Sequence, residues 1–405
     1  MTILAKLFPP PSAAPIPRGI ARQGPAILSY GFRPFFLCAG IWAVTAMSLW
    51  LGAVLFGWEL GGSYGAINWH AHELLFGYAA AVLAGFMLTA IPNWTGRLPL
   101  SGNPLLALVA LWLAGRIAML LPDLLGMPPA IAVDSAFLPA MAFVAAREII
   151  AGKNWKNLKV LAGLGGLALA NIGFHVAVLG GWDTGYWYRA AISVLVMLIA
   201  VVGGRIVPSF SRNWLARRSQ KLPAAFDWID RVALVSLAVA LACWVVEPLG
   251  QLTALLCAVG AATQAWRLLR WRSWSTRGES IVFVLHAAFA FIPIGLIANA
   301  AAAVGAISEI SALHLLTVGA IGVMTLAVMS RATLGHTGNA IVANWPIRVS
   351  YLALIAAALI RPAADSSLEW YYPVLALSGG LWLLAFSSFL VGCGPLLVSA
   401  RKGSR

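Results

Sequence analysis

Charge is scarce in this chain. Asp, Glu, Lys and Arg together make up 10% of its 405 residues, where soluble globular chains carry about 25%. With 61% hydrophobic residues and a mean hydropathy of +0.87, little is left to clothe a solvated surface, which excludes a soluble enzyme. Acidic residues are the rarest charges, 13 against 27 basic ones, and the formal net charge is +14. In a soluble chain that excess would point to nucleic acid, but such a reading requires the basic residues on one solvated face. Cysteine is also rare, and Cys38, Cys243, Cys257 and Cys393 all fall in apolar stretches. Cys243 and Cys257 sit at similar depth on consecutive stretches, with ordinary small packing residues as the simplest reading. No CxxCH occurs, so covalent haem attachment is excluded. The first 33 residues lack the uninterrupted apolar core and cleavage site of a secretory signal, and with Pro9, Pro10, Pro11, Pro15, Pro17 and Pro25 they read as a cytoplasmic arm.

What is abundant is long apolar sequence. Stretches of the roughly 17 to 25 residues needed to cross a bilayer occur at 34–56, 69–91, 104–121, 128–150, 158–180, 187–210, 229–249, 251–270, 281–303, 311–332, 345–361 and 371–398. Lipid offers backbone groups no partners, so each is expected to be a helix. Of the 27 Lys and Arg, all except Arg116, Arg189, Arg205 and Arg361 lie in the arm, the tail or the connections after even-numbered helices. The odd-numbered connections carry Glu59, Asp123, Asp183, Glu247, Glu309, Asp365 and Glu369 instead. Basic residues collect on the cytoplasmic side, so the alternation predicts twelve helices with both termini cytoplasmic and basic loops facing anionic lipid. The expected organisation is an arm at 1–33, one twelve-helix domain at 34–398 and a basic tail at 399–405. The charge thereby becomes topology, and nucleic acid drops out as a partner.

Helices 1, 5 and 9 begin at intervals of about 120 residues, as do helices 2, 6 and 10, which predicts three units of four helices. The ends of the second set are alike: Ile91-Pro92-Asn93-Trp94-Thr95-Gly96-Arg97, Val207-Pro208-Ser209-Phe210-Ser211-Arg212 and Val328-Met329-Ser330-Arg331. Trp residues such as Trp58, Trp69, Trp94, Trp187, Trp345 and Trp370 cluster at helix ends as an interfacial belt.

All six histidines lie in or beside spans, where a polar ring needs a partner or a task. His72 and His314 fall at equal depth near the outer ends of helices 2 and 10, as two axial ligands of one haem require. His70 cannot share the target of His72, because residues two apart at about 100° each point to opposing sides of a helix. His70 and Glu73, three apart, share a face, and with His175 they form the expected second metal centre, since imidazole suits copper and iron. His286 and His336 are weaker ligand candidates. Arg116 is expected either to pair with Asp134 on the adjacent helix or to anchor a haem propionate through charge-assisted hydrogen bonds. Glu73 has a further possible role as a proton carrier, and Arg205 is read as snorkelling to the cytoplasm.

These strings resemble one family. Tyr30-Gly31-Phe32-Arg33-Pro34-Phe35-Phe36, Trp69-His70-Ala71-His72-Glu73, Phe76-Gly77-Tyr78, Gly85-Phe86 and Thr89 through Gly96 closely resemble the NnrS family. So do Gly203 through Phe210, the run from His314 through Gly319, Met329 through Ala332, and Gly335-His336-Thr337-Gly338. The resemblance implies a polytopic protein of the bacterial inner membrane containing haem, here b-type, and copper. It also implies a role in denitrification and the response to nitric oxide and nitrosative stress. Three units of four helices with His on helices 2 and 10 also looks like the catalytic subunit of haem-copper oxidases. Helices 6 and 7, however, lack the copper-ligating histidines of those enzymes. Two other functions compete. One is a secondary transporter using Glu73, Arg116 and Asp134, which a twofold repeat with helices broken at the midplane would favour. The other is a nitric oxide redox enzyme, which needs an external electron-donor protein because no flavin or soluble cytochrome motif is present.

Overall fold

A computed structural model describes residues 24–402. Residues 1–23, which hold most of the Pro-rich arm, and the last three residues of the tail lie outside the described residues. Among the described residues, twelve helices are long and apolar enough to cross a membrane, and no strand occurs. They are α1 Phe32–Phe56, α2 Ala66–Thr95, α3 Asn103–Leu120, α4 Met127–Ala151, α5 Trp155–Leu179 and α6 Gly185–Ala216. The second half contributes α7 Trp228–Val246, α8 Gln251–Leu269, α9 Ser280–Ala303, α10 Glu309–His336, α11 Trp345–Ser366 and α12 Leu368–Val398. This is an all-helical, multi-pass membrane protein whose apolar helices fit a lipid bilayer.

Local chemistry fixes where the helices start and stop. α1 and α2 end at Gly57 and Gly96, whose φ of 70° and 73° is left-handed and suits glycine. The Ser308 hydroxyl accepts from the backbone amides of Ile310 and Ser311 at the head of α10. Asp227 and Asp230 form a reciprocal capping box at the head of α7.

Each helix packs against the next, and α12 closes on α1. Inside this ring α2, α6 and α10 pack against one another. α1 also touches α10, α5 touches α2, and α9 touches α6, so each unit's first helix lies between its own second helix and that of the preceding unit. That contact pattern repeats three times, in keeping with the period in the sequence. The three inner helices share a further feature: each contains a π-helical segment, Glu73–Ala79, Ile199–Gly203 and Leu315–Val323. Such segments widen the helix and re-aim the side chains before them relative to those after.

Two buried arginines tie helices together. Arg267, fully buried on α8, donates from Nε to Asp230 at 2.8 Å and from Nη1 to the carbonyl of Ala200 in the α6 π segment at 2.9 Å. Arg33 donates from Nη1 to the carbonyls of Leu396, Leu397 and Ser399 at 3.2, 2.9 and 2.7 Å. It thereby caps the otherwise unpaired carbonyls at the end of α12.

Candidate functional site

Two sites flank the outer end of α2, and the His70-Ala71-His72 step separates them. On one side is a buried polar cluster built from α2 to α5. His72 and Glu73 come from α2, Arg116 from α3, Asp134 from α4, and Asn171 and His175 from α5, all between 0% and 2% exposed. Tyr64, in the turn before α2, closes it.

The hydrogen bonds define what the cluster needs. His72 meets the Glu73 carboxylate through Nδ1 at 3.0 Å, while its Nε2 faces Asp134 Oδ2 at 3.2 Å and Asn171 Oδ1 at 2.9 Å. His175 meets the Tyr64 hydroxyl through Nδ1 at 3.0 Å and Asp134 Oδ2 through Nε2 at 2.9 Å. The Asn171 amide donates to the same Asp134 oxygen at 3.0 Å. Arg116 spans the carboxylates, donating from Nη1 to Glu73 at 2.5 Å and from Nη2 to Asp134. Two carboxylates and one guanidinium leave a formal charge of −1 when the imidazoles are neutral. A neutral imidazole has one N–H, yet both nitrogens of His72 face oxygen acceptors. Burial makes an uncompensated charge costly, so the cluster calls for one more cation, a proton or a metal ion, at His72. One ligand atom each from His72, Asp134 and His175 lies within 4.8 Å of the others. Glu73 and Tyr64 hold the Nδ1 atoms of the two rings, as outer partners of metal-bound histidines commonly do.

On the other side of α2 is a cavity of about 320 Å³. Its walls include Trp50 of α1, His70 and Tyr78 of α2, His314 of α10, Arg361 of α11 and Trp382 of α12. The His70 ring stacks on Trp50 with centroids 4.3 Å apart, and its Nδ1 has no hydrogen-bond partner. His314 donates from Nδ1 to the carbonyl of Ile310 at 2.7 Å. That bond places the proton on Nδ1 and leaves Nε2 with a free lone pair.

The fold thus rearranges the ligand pairs expected from the sequence. His314 shares its cavity with His70, whereas His72 lies in the polar cluster with His175. Glu73 bonds to His72 and Arg116, so the expected His70, Glu73 and His175 grouping is not brought together. Arg116 forms the expected pair with Asp134 and is engaged by Glu73 as well, so both of its Nη atoms are committed to carboxylates. His286 and His336 stand apart from both sites. The His286 nitrogens meet the Ser211 and Ser273 hydroxyls at 2.7 and 2.9 Å, which satisfies the ring. His336 packs against Tyr30 and Phe32. Sequence reasoning missed Asn171 and Tyr64 altogether and saw Asp134 as a counter-ion or part of a transport path, not as a metal ligand. An Asn in the middle of a membrane helix is itself a signal, because its amide must find a partner there.

Fold and site together define a class: a multi-pass helical membrane protein with potential metal ligands buried among its helices. The model of the family described as NnrS protein matches residues 26–401. The chain therefore belongs to the NnrS family, a metal-associated family linked to the nitric oxide response. No curated protein matches it.

Proposed function

We propose that this protein acts in nitric oxide metabolism or protection from nitrosative stress, holding haem between His70 and His314 and a copper ion at His72, Asp134 and His175. One observation carries the reading. Two histidines a single residue apart on α2 face opposite ways, one toward an apolar cavity with His314, the other toward a charge-deficient cluster with Asp134 and His175. The residues fit both groups. The cavity offers an imidazole with Nε2 free on α10 and one with Nδ1 unpartnered on α2, within apolar walls suited to a porphyrin. The cluster offers two imidazoles and a carboxylate, a donor set compatible with copper, and lacks one positive charge.

When bound, these groups supply one-electron chemistry and a coordination site for nitric oxide. The chain's own residues orient and insulate. Glu73 and Tyr64 fix the rings of His72 and His175, Arg116 holds both carboxylates in place, and the surrounding helices exclude water. In this reading the protein lies in the bacterial inner membrane with both termini cytoplasmic, and any turnover draws electrons from a partner protein.

Metal analysis with optical and EPR spectra of the purified protein tests the assignment. His70→Ala and His314→Ala are expected to lose haem and keep copper, and His72→Ala and His175→Ala the reverse. Unchanged haem and copper in all four variants would overturn it, and loss of haem from His72→Ala would return that residue to the haem.

A further inference from the structure

An apolar wall does not account for Arg361. It lines the His70 and His314 cavity, is only 7% exposed, and its Nη1 has no hydrogen-bond partner. The Asp365 carboxylate, one turn on, stands 3.8 Å from that atom, beyond hydrogen-bond range. Asp365 is held elsewhere, its Oδ2 accepting from the Ser308 and Ser311 hydroxyls at 3.0 and 2.8 Å. The other buried arginines are anchored by hydrogen bonds, even though Arg116 Nε and Arg267 Nη2 are also without a partner. Arg116 reaches two carboxylates, Arg267 a carboxylate and a carbonyl, and Arg33 three carbonyls. A guanidinium has five donors and no acceptor, and holding one in a membrane bundle with an unbonded face is costly.

We infer that Arg361 binds a carboxylate of the cavity's occupant, so that the site takes a planar apolar ligand carrying an acidic group. The apolar body lies among Leu75, Leu375 and Trp382, which line the same cavity, and the acid meets the free Nη1. The inference rests on the haem reading above: the acid is then a propionate, and its anchor is Arg361 in place of Arg116. A charge-assisted contact of this kind is stronger than a neutral one, and its loss from a buried site leaves both partners unpaired.

The test uses full-length protein from haem-deficient cells, titrated in detergent with haem and with haem dimethyl ester, whose propionates are blocked. The wild type is expected to bind haem about tenfold or more tightly than the diester. Arg361→Gln is expected to lose most of that preference, and Arg361→Lys to retain part of it. If Arg361→Gln weakens both pigments alike and keeps the preference, Arg361 is merely structural and the inference falls. It falls too if the wild type binds both pigments equally, although the haem reading then stands. If the wild type binds neither, the haem reading fails and takes this inference with it.

Discussion

Arg116 is the residue on which the polar cluster turns, because it is the single cation among Glu73, Asp134 and the neutral rings. Removing one partner from a buried ion pair costs about 3–5 kcal/mol. Arg116→Met is therefore expected to lower the thermal unfolding temperature of detergent-solubilised protein markedly, whereas exposed Arg217→Met leaves it unchanged. Gly77 is bound to the same group. A Cβ there would lie 2.5 Å from Arg116 Nη1 and 2.8 Å from both Glu73 Oε2 and Trp42 Nε1. Arg116 is pinned by its carboxylates and cannot retreat, so Gly77→Ala should displace the guanidinium and lower metal content, measured by elemental analysis. Gly380→Ala, with open space around the added carbon, serves as the control.

At the scale of elements, the π-helical segments decide where the histidines point. Deleting one residue from Glu73–Ala79 is expected to restore α-helical winding and to turn His70 and His72 by about 100° relative to the rest of α2. Both sites should then empty in a protein that still inserts, as read by haem absorbance and metal analysis of membranes. At the basic end, Asp227 caps α7 and is held below its ordinary range chiefly by its hydrogen bond to Arg270. A lowered folded value means that the contribution to stability is present above the unfolded value of 3.8 and fades as pH falls through the folded one. Unfolding temperatures of wild type and Asp227→Asn should therefore differ at neutral pH and converge under acid conditions. The helices themselves were legible in the sequence, because twenty apolar residues in lipid have one way to satisfy their backbone. Their π segments were not, since no residue pattern in Glu73–Ala79 separates five residues per hydrogen bond from four.

For the whole molecule, the proposed orientation puts the basic connections on the cytoplasmic side. Gln220→Cys, in the basic connection between α6 and α7, is expected to resist membrane-impermeant thiol reagents in intact spheroplasts. Gln251→Cys, at the opposite end of α8, should react, and the reverse pattern would invert the topology. The threefold order places the two sites unequally. The polar cluster is made by the first unit and α5, and the cavity lies between the first and third units, with α6 at its edge.

The sequence by itself determined the membrane, the number of helices, the family and the fact that His70 and His72 diverge, because hydropathy, charge asymmetry and helical pitch act along the chain. Only the tertiary structure decided which ring joins His314 and which joins His175. It alone also brought Asp134 and Asn171 to His72, and left Arg361 Nη1 without a hydrogen bond where both Nη atoms of Arg116 meet carboxylates. Those choices depend on how each helix is rotated against its neighbours, and that rotation is set by packing between residues far apart in the chain, such as His72 and Asp134, 62 positions apart.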